Sequence, residues 1–218
     1  MTYRLAGTLP ANVVAELKAK KELMLRRNST VDHKVDTKHF NRTFFAAYEH
    51  HLDVVSKIDW LQDPKIASML RENLYHFAGQ KYSLHAYCIM PNHVHVLLTP
   101  HQPPNEHHPV DFSKADQISN VGEVADKCSP LSNITHSLKS YTANRANRML
   151  NRSGTFWQPE SYDHWVRNDD ELERIVNYIR ANPVKAGLVE HHQDWYWSSC
   201  HDRFLIDGDT SGWLPQPT

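Results

Sequence analysis

Two histidines one residue apart, His93 and His95, sit inside the apolar stretch MPNHVHVLL at residues 90–98. On a strand, residues i and i+2 project to the same face, so the two imidazoles stand side by side while Val94 and Val96 turn the other way. Such a pair can share one divalent cation. A chain with 16 histidines in 218 residues yields about one such H-x-H by chance, and a hydrogen-bonded structural pair is the competing reading. The adjacent pairs His50-His51, His107-His108 and His191-His192 fall on presumed helix or loop and read as solvated surface.

A second group stands in DDELERIVNYIRANP, where Leu172, Ile175, Val176 and Ile179 form one apolar helical stripe. Tyr178 lies beside that stripe, Asn182 follows four residues later on the same edge, and Arg174 falls one turn earlier. A phenol, an amide oxygen able to bind a metal and a guanidinium thus stand in a row. The competing reading is a half-buried tyrosine with Asn182 as a helix C-cap. A tyrosine with a pKa near ~10 needs help to act as a nucleophile, and a divalent cation that polarises the attacked phosphate supplies part of it. Two imidazoles and a hard oxygen suit Mg²⁺ or Mn²⁺ with open positions, whereas a structural zinc site is closed by four protein ligands.

These residues need a strand and a helix to position them. TYRLAG (2–7) reads as a short strand, followed by helices over 13–27, 43–57 and 65–79. YSLHAYCIM (82–90) and HVHVLLTP (93–100) read as an antiparallel hairpin turned at Pro91-Asn92. Residues 101–126 form a polar connection, a helix covers about 131–150, and GTFWQPESYDHWVR (154–167) turns into another strand. Asn168 and Glu171 have capping-box spacing for a helix over about 169–181 that stops at Asn182-Pro183. The tail from 188, with Trp195, Trp197 and Trp213, packs back on the domain. The expected class is α+β, an antiparallel sheet flanked by helices. One domain spans 1–218, with a helical insertion at about 10–80 and a C-terminal tail at about 188–218.

Composition narrows the function classes. Cys88, Cys128 and Cys200 form no C-x-x-C pair, so neither a disulfide framework nor a cysteine zinc site is indicated. No Gly-rich phosphate loop occurs among seven glycines, which moves nucleotide-triphosphate enzymes down the order. No apolar run approaches the roughly 20 residues of a membrane span, and the first residues lack a secretory pattern, so the expected compartment is the cytoplasm. Formal net charge is −1, so nucleic-acid binding must come from a local patch. SLKSYTANRANRMLNR (137–152) supplies one: Lys139 and Arg145, then Arg148 and Arg152, with Arg167, Arg174, Arg180 and Lys185 nearer the tyrosine. A solvated helix face is the alternative. Trp157, Tyr162 and Trp165 can stack unpaired bases or fill core, and for Trp165 core is the stronger expectation.

The blocks YCIMPNHVHVLL, SLKSYTANRANRML, GTFWQPESYDHWVRNDDELERIVNYIRANPVKAGLV and DWYWSS, after a YxL-type opening strand, resemble REP-associated tyrosine transposases. These are single-tyrosine members of the HUH (His-hydrophobe-His) endonuclease superfamily. The resemblance implies a ferredoxin-like antiparallel sheet shared with small insertion-sequence transposases, with the HUH motif on a central strand and the tyrosine on a nearby helix. It implies Tyr178 as nucleophile, His93 and His95 as metal ligands and Asn182 as a third polar ligand, with Mg²⁺ or Mn²⁺ as cofactor. Tyr141, ringed by Lys139, Arg145, Arg148 and Arg152, is the second-ranked nucleophile. The implied reaction is nicking and joining of single-stranded or hairpin DNA through a 5′-phosphotyrosine link, by a monomer or homodimer at the nucleoid. The rivals are a binding or regulatory protein that keeps the fold without catalysis, and a hydrolase that uses water. The helices between the first strand and the hairpin exceed what a minimal member needs, so chemistry should transfer better than target choice.

Overall fold

The computed structural model describes residues 1–10, 12–13, 15–16, 19, 57–101, 130–159 and 161–201. The helix expected over 43–57, the connection over 101–126 beyond His101 and Trp213 lie outside them, as does much of the helix expected over 13–27, of which residues 13, 15, 16 and 19 are helical.

Three strands, β1 (Thr2–Arg4), β2 (Tyr82–Ile89) and β3 (His93–Pro100), make an antiparallel sheet in the order β1-β3-β2. The hairpin between β2 and β3 forms as expected, and β3 is central. β1 is held to its first half by the pairs Thr2↔His95, Tyr3↔Val94 and Arg4↔His93. A bulge between Leu84 and Ala86 shifts the alternation of β2, so that Leu84, Tyr87 and Ile89 share one face while Ala86, Cys88 and Met90 share the other.

Helices α1 (Pro64–His76), α2 (Pro130–Met149) and α3 (Asp169–Lys185) cover the two faces. Asp63 caps α1 by accepting from Lys65 N at 2.8 Å, and Pro64 takes the first helical position, where its missing N–H costs nothing. Ile66, Leu70 and Leu74 of α1 and Ile134 and Leu138 of α2 then meet Tyr3, Leu5, Leu84, Tyr87, Val94 and Val96 in the main core. Phe156 and Trp157 complete it, with Trp157 Nε1 donating to Thr142 Oγ1 at 2.9 Å. Full burial of each such side chain stabilises by about 1.5–3 kcal/mol, so this face carries most of the folding energy.

Both sheet edges are covered in part. On the β1 side, Ala6 N donates to Phe156 O and Gln158 N to Arg4 O, both at 2.8 Å, and Thr2 and Tyr162 exchange backbone bonds. The strand expected within 154–167 is therefore reduced to isolated bridges at Trp157 and Tyr162: Pro159 between them has no N–H to give a ladder. On the β2 side the tail packs back, with Ile89 N donating to Trp197 O at 2.9 Å and Trp195 Nε1 to Ile89 O at 3.0 Å.

The end of α3 differs from expectation. α3 runs through Pro183 to Lys185. Its true stop is Gly187 at φ 67°, with Gly187 N bonding to Val184 O at 3.0 Å and Leu188 N to Pro183 O at 2.9 Å, a Schellman motif. α2 ends the same way at Asn151, φ 49°, with Arg152 N on Asn147 O at 2.9 Å. Arg152 thus leaves the helix face on which it was expected. Among the described residues no helix is long and apolar enough to cross a membrane.

Candidate active site

β3 sorts its side chains by parity: Val94 and Val96 enter the main core, while His93, His95 and Leu97 face α3. Both histidines are buried, each 2% exposed. The asparagine that closes the hairpin turn fixes the first one, His93 Nδ1 lying 2.6 Å from Asn92 Oδ1. An amide oxygen only accepts, so the His93 proton sits on Nδ1 and its Nε2 presents a lone pair. That lone pair points at His95, with the two Nε2 atoms 3.0 Å apart. His95 Nδ1 in turn lies 2.8 Å from the hydroxyl of Thr2, its register partner on β1. A hydroxyl can donate or accept. His95 can therefore either donate from Nε2 to His93, or donate from Nδ1 to Thr2 and turn a second lone pair toward the first.

That second state places two lone pairs on one point, an arrangement that a bound cation stabilises. The spacing fits: bonds of about 2.1 Å at right angles put two ligand nitrogens about 3.0 Å apart. Ring nitrogens anchored from behind by an amide and a hydroxyl are the usual support of metal-binding histidines. Burial, and secondarily the Arg4 guanidinium opposite, push the His93 pKa down to about 3. Burial, then His93, hold His95 well below the ordinary range as well. Both rings are neutral at physiological pH, the form that ligates metal.

α3 brings the second group. Asn168 caps it by accepting from Glu171 N at 2.9 Å. The reciprocal half of the expected box shifts by one residue, since the Glu171 carboxylate accepts from Arg167 N at 3.0 Å. Val176 and Ile179 pack on Ala86, Cys88 and Leu97 and fix the helix rotation that sets the Tyr178 ring against His95, centroids 5.4 Å apart. Tyr178 Oη donates to Asn182 Oδ1 at 3.4 Å, Asn182 Nδ2 donates back to Tyr178 O at 2.9 Å, and the buried Asn182 amide also hydrogen-bonds His95. Asn182 is therefore no C-cap. Lys185 Nζ lies 4.7 Å over the Tyr178 ring. His93, His95, Asn182 and Tyr178 converge, and the two imidazoles with the amide oxygen fit a hard divalent cation. Among the described residues no cluster of three His, Cys, Asp or Glu exists, so no closed zinc site competes.

The basic residues divide. Arg145 and Arg148 are exposed on α2, and Arg167 and Lys185 are exposed beside α3. Lys139 is committed to the carbonyls of Gln158 and Pro159 at 2.6 and 2.9 Å. Arg152 bonds Asn147 Oδ1 at 2.8 Å and lies 4.0 Å over the Trp60 ring. Arg180 is half-buried against Cys200, and Arg174 pairs with Glu171 at 3.2 Å while remaining 63% exposed. The continuous strip read from the sequence is thus broken by side chains that hold the fold. Tyr141 is 53% exposed on α2, on the helix that packs against the opposite sheet face. Sequence reasoning missed Thr2, Arg4 and Asn92; Asn92 was visible as the residue before the motif, but the others need the β1 register.

No family model matches the sequence. Over 116 residues the chain is 32% identical to a Haemophilus influenzae protein that carries the name REP-associated tyrosine transposase provisionally, a match over 53% of this chain and 57% of that one. A 45-residue stretch is 42% identical to the REP-associated tyrosine transposase of Escherichia coli K12, covering 21% of this chain and 27% of that one. The matches thus span about half and a quarter of those relatives. A solved structure of a REP-associated tyrosine transposase bound to a REP hairpin aligns with TM-score 0.46 at 20% identity, covering 68% of this chain and 72% of that one. The resemblance read from the sequence blocks holds.

Proposed function

We propose that this chain, similar to REP-associated tyrosine transposases, is a metal-dependent single-stranded DNA endonuclease and strand transferase acting on hairpin or repeat DNA. The observation that carries the reading is the convergence of His93, His95, Asn182 and Tyr178 where β3 meets α3. In this reading Tyr178 Oη attacks a phosphodiester, the P–O3′ bond breaks, and the proton lost by the phenol is balanced by one taken up at the departing O3′. The products are a 5′-phosphotyrosine link and a free 3′-OH, which reverses the step when strands are joined. His93, His95 and Asn182 Oδ1 hold Mg²⁺ or Mn²⁺, which when bound polarises the phosphate and lowers the phenol's need for a strong base. Asn182 fixes the Tyr178 hydroxyl, and the Lys185 ammonium lies over the ring. Of the basic residues read from the sequence, Arg145, Arg148, Arg167 and Lys185 remain exposed to contact backbone phosphates.

One chain supplies the whole set, so a monomer suffices, and a homodimer exchanging α3 would assemble the same site. The place of action follows as the nucleoid. The test is incubation with labelled hairpin DNA and Mn²⁺ or EDTA, resolved on a denaturing gel. A metal-dependent protein–DNA adduct in wild type that vanishes in Tyr178→Phe is expected. Binding without any adduct would replace this reading with that of a non-catalytic binding protein, and cleavage surviving Tyr178→Phe with that of a water-using hydrolase.

A further inference from the structure

Trp165 is the most exposed large apolar side chain among the described residues, at 72%. It stands in the irregular segment between the Tyr162 bridge and the start of α3, where Val166 packs inward on the apolar cluster under α3. Trp165 and Arg167, on either side of that inward residue, are both exposed. Below Trp165 lies a groove of about 230 Å³ lined by Leu97, Leu98, Thr99, Asp163 and Leu172. Its floor is a strand edge. β1 pairs only with His93, Val94 and His95, and Met1 bonds Val96, so β3 beyond Val96 has no described strand on that side.

We infer that this groove seats one unpaired nucleobase of the DNA strand held at the tyrosine site, stacked on Trp165 and followed by a phosphate on Arg167. The inference rests on the single-strand DNA reading above. A base needs a flat apolar partner for its ring and hydrogen-bonding groups at its edge, and the groove offers an aromatic face and a strand edge together, with the Thr99 hydroxyl, which also meets His85 Nε2 at 2.8 Å, beside them. The volume lies below the roughly 300 Å³ at which drug-sized pockets begin, which suits a single heterocycle. Two structural rulers join it to the chemistry. Leu97 is one same-face step of about 7 Å beyond His95, and Leu172 is about 9 Å along α3 from Tyr178. Both leucines belong to the apolar cluster that also supports Tyr178. The groove is therefore within one or two nucleotides of the attacked phosphate. An added β-strand of protein would use the strand edge without needing Trp165 or Arg167.

The test is binding of fluorescent hairpins with single-stranded flanks, in EDTA, with an abasic site moved through the flank. Wild type should lose about 5- to 150-fold in affinity at one flank position, the loss expected from about 1–3 kcal/mol of base stacking. Trp165→Ala should show that loss on the intact flank and none further at that abasic position, and Trp165→Phe should restore most of it. Wild-type affinity in Trp165→Ala, or equal losses at every position, overturns the groove. Adduct formation in Mn²⁺, run in parallel, separates the two readings. A wild type that forms the adduct without a flank effect loses only the groove, one that shows the flank signature without an adduct loses only the catalysis, and one that binds no hairpin loses both.

Discussion

The two faces of this sheet are buried to similar degrees but with different contents. Under α1 and α2 lie Tyr3, Leu84, Tyr87, Val94 and Val96, all within 1% exposure, closed by Phe156 and Trp157. Under α3 the apolar cluster is smaller, and beside it Thr2, Arg4, His93, His95 and Asn182 are buried at 3% exposure or less. Polar groups withdrawn from water cost free energy unless every one is matched, so a fold that needed only stability would fill this second face with aliphatic residues. One face is mainly apolar, and the other carries a buried polar constellation.

The sharpest way to break that contrast is to change one atom or one core side chain and read stability and chemistry together. Tyr178→Phe removes a hydroxyl whose described hydrogen bond is long, 3.4 Å, so unfolding free energy should move by about 1 kcal/mol or less while adduct formation is lost entirely. A large fall in melting temperature would mean that the phenol is a structural member of the face. Leu70→Ala, on α1 at 1% exposure, should do the opposite. It should cost about 2–5 kcal/mol in denaturant unfolding, with adduct yield per folded molecule unchanged. A fall in adduct yield per folded molecule would show the two faces to be coupled.

Asn92→Ala should act next in size. It leaves both histidines in place and removes the 2.6 Å bond that fixes the His93 tautomer. Loss of such an outer partner weakens metal affinity by about 10- to 100-fold, so half-maximal adduct formation should need correspondingly more Mn²⁺, with the yield at saturation retained. If the Mn²⁺ dependence does not shift, the histidine pair is not the ligand set.

What the sequence disclosed and what it hid follow the range of the forces involved. The parity of His93 and His95 against Val94 and Val96, and the four-residue step from Tyr178 to Asn182, are set by strand and helix periods and are legible in short windows. The partners that complete the site are set by strand register: Thr2 reaches His95 across 93 residues of sequence, and no local pattern predicts that pairing. The end of α3 departs from the reading because a strong breaker drew attention from a better one. Pro183 is tolerated inside α3, and Gly187, four residues on, supplies the left-handed turn that stops it. Trp165 was expected in the core because large apolar residues usually are, but its neighbour Val166 takes the inward place and the tryptophan is left exposed. The basic strip was legible as composition only, since Lys139 and Arg152 find carbonyls, an amide and an aromatic ring that become neighbours after folding.

The smallest expected effect concerns how the polar face is fastened. Glu171 ties the segment carrying Trp165 to α3: it accepts from Arg167 N at 3.0 Å and from His164 Nε2 at 3.0 Å, with Arg174 at 3.2 Å. Burial alone would raise its pKa, but the His164 and Arg167 hydrogen bonds and the charges of His164 and Arg174 outweigh it and hold it below the ordinary 4.5. A carboxylate whose pKa is lower folded than unfolded adds stability above the unfolded value. That stability is lost as pH falls from there through the folded value. Glu171→Gln should therefore be less stable than wild type near neutrality, and the gap should close on acidification through and below the ordinary carboxylate range, as read by denaturant melts at a series of pH values. Parallel curves for the two proteins would place this cluster with the exposed ion pairs that contribute little. A closing gap would mean that the segment bearing Trp165 is fastened to the helix bearing Tyr178 by a titrating carboxylate, so that acid loosens the polar face before it reaches the apolar one.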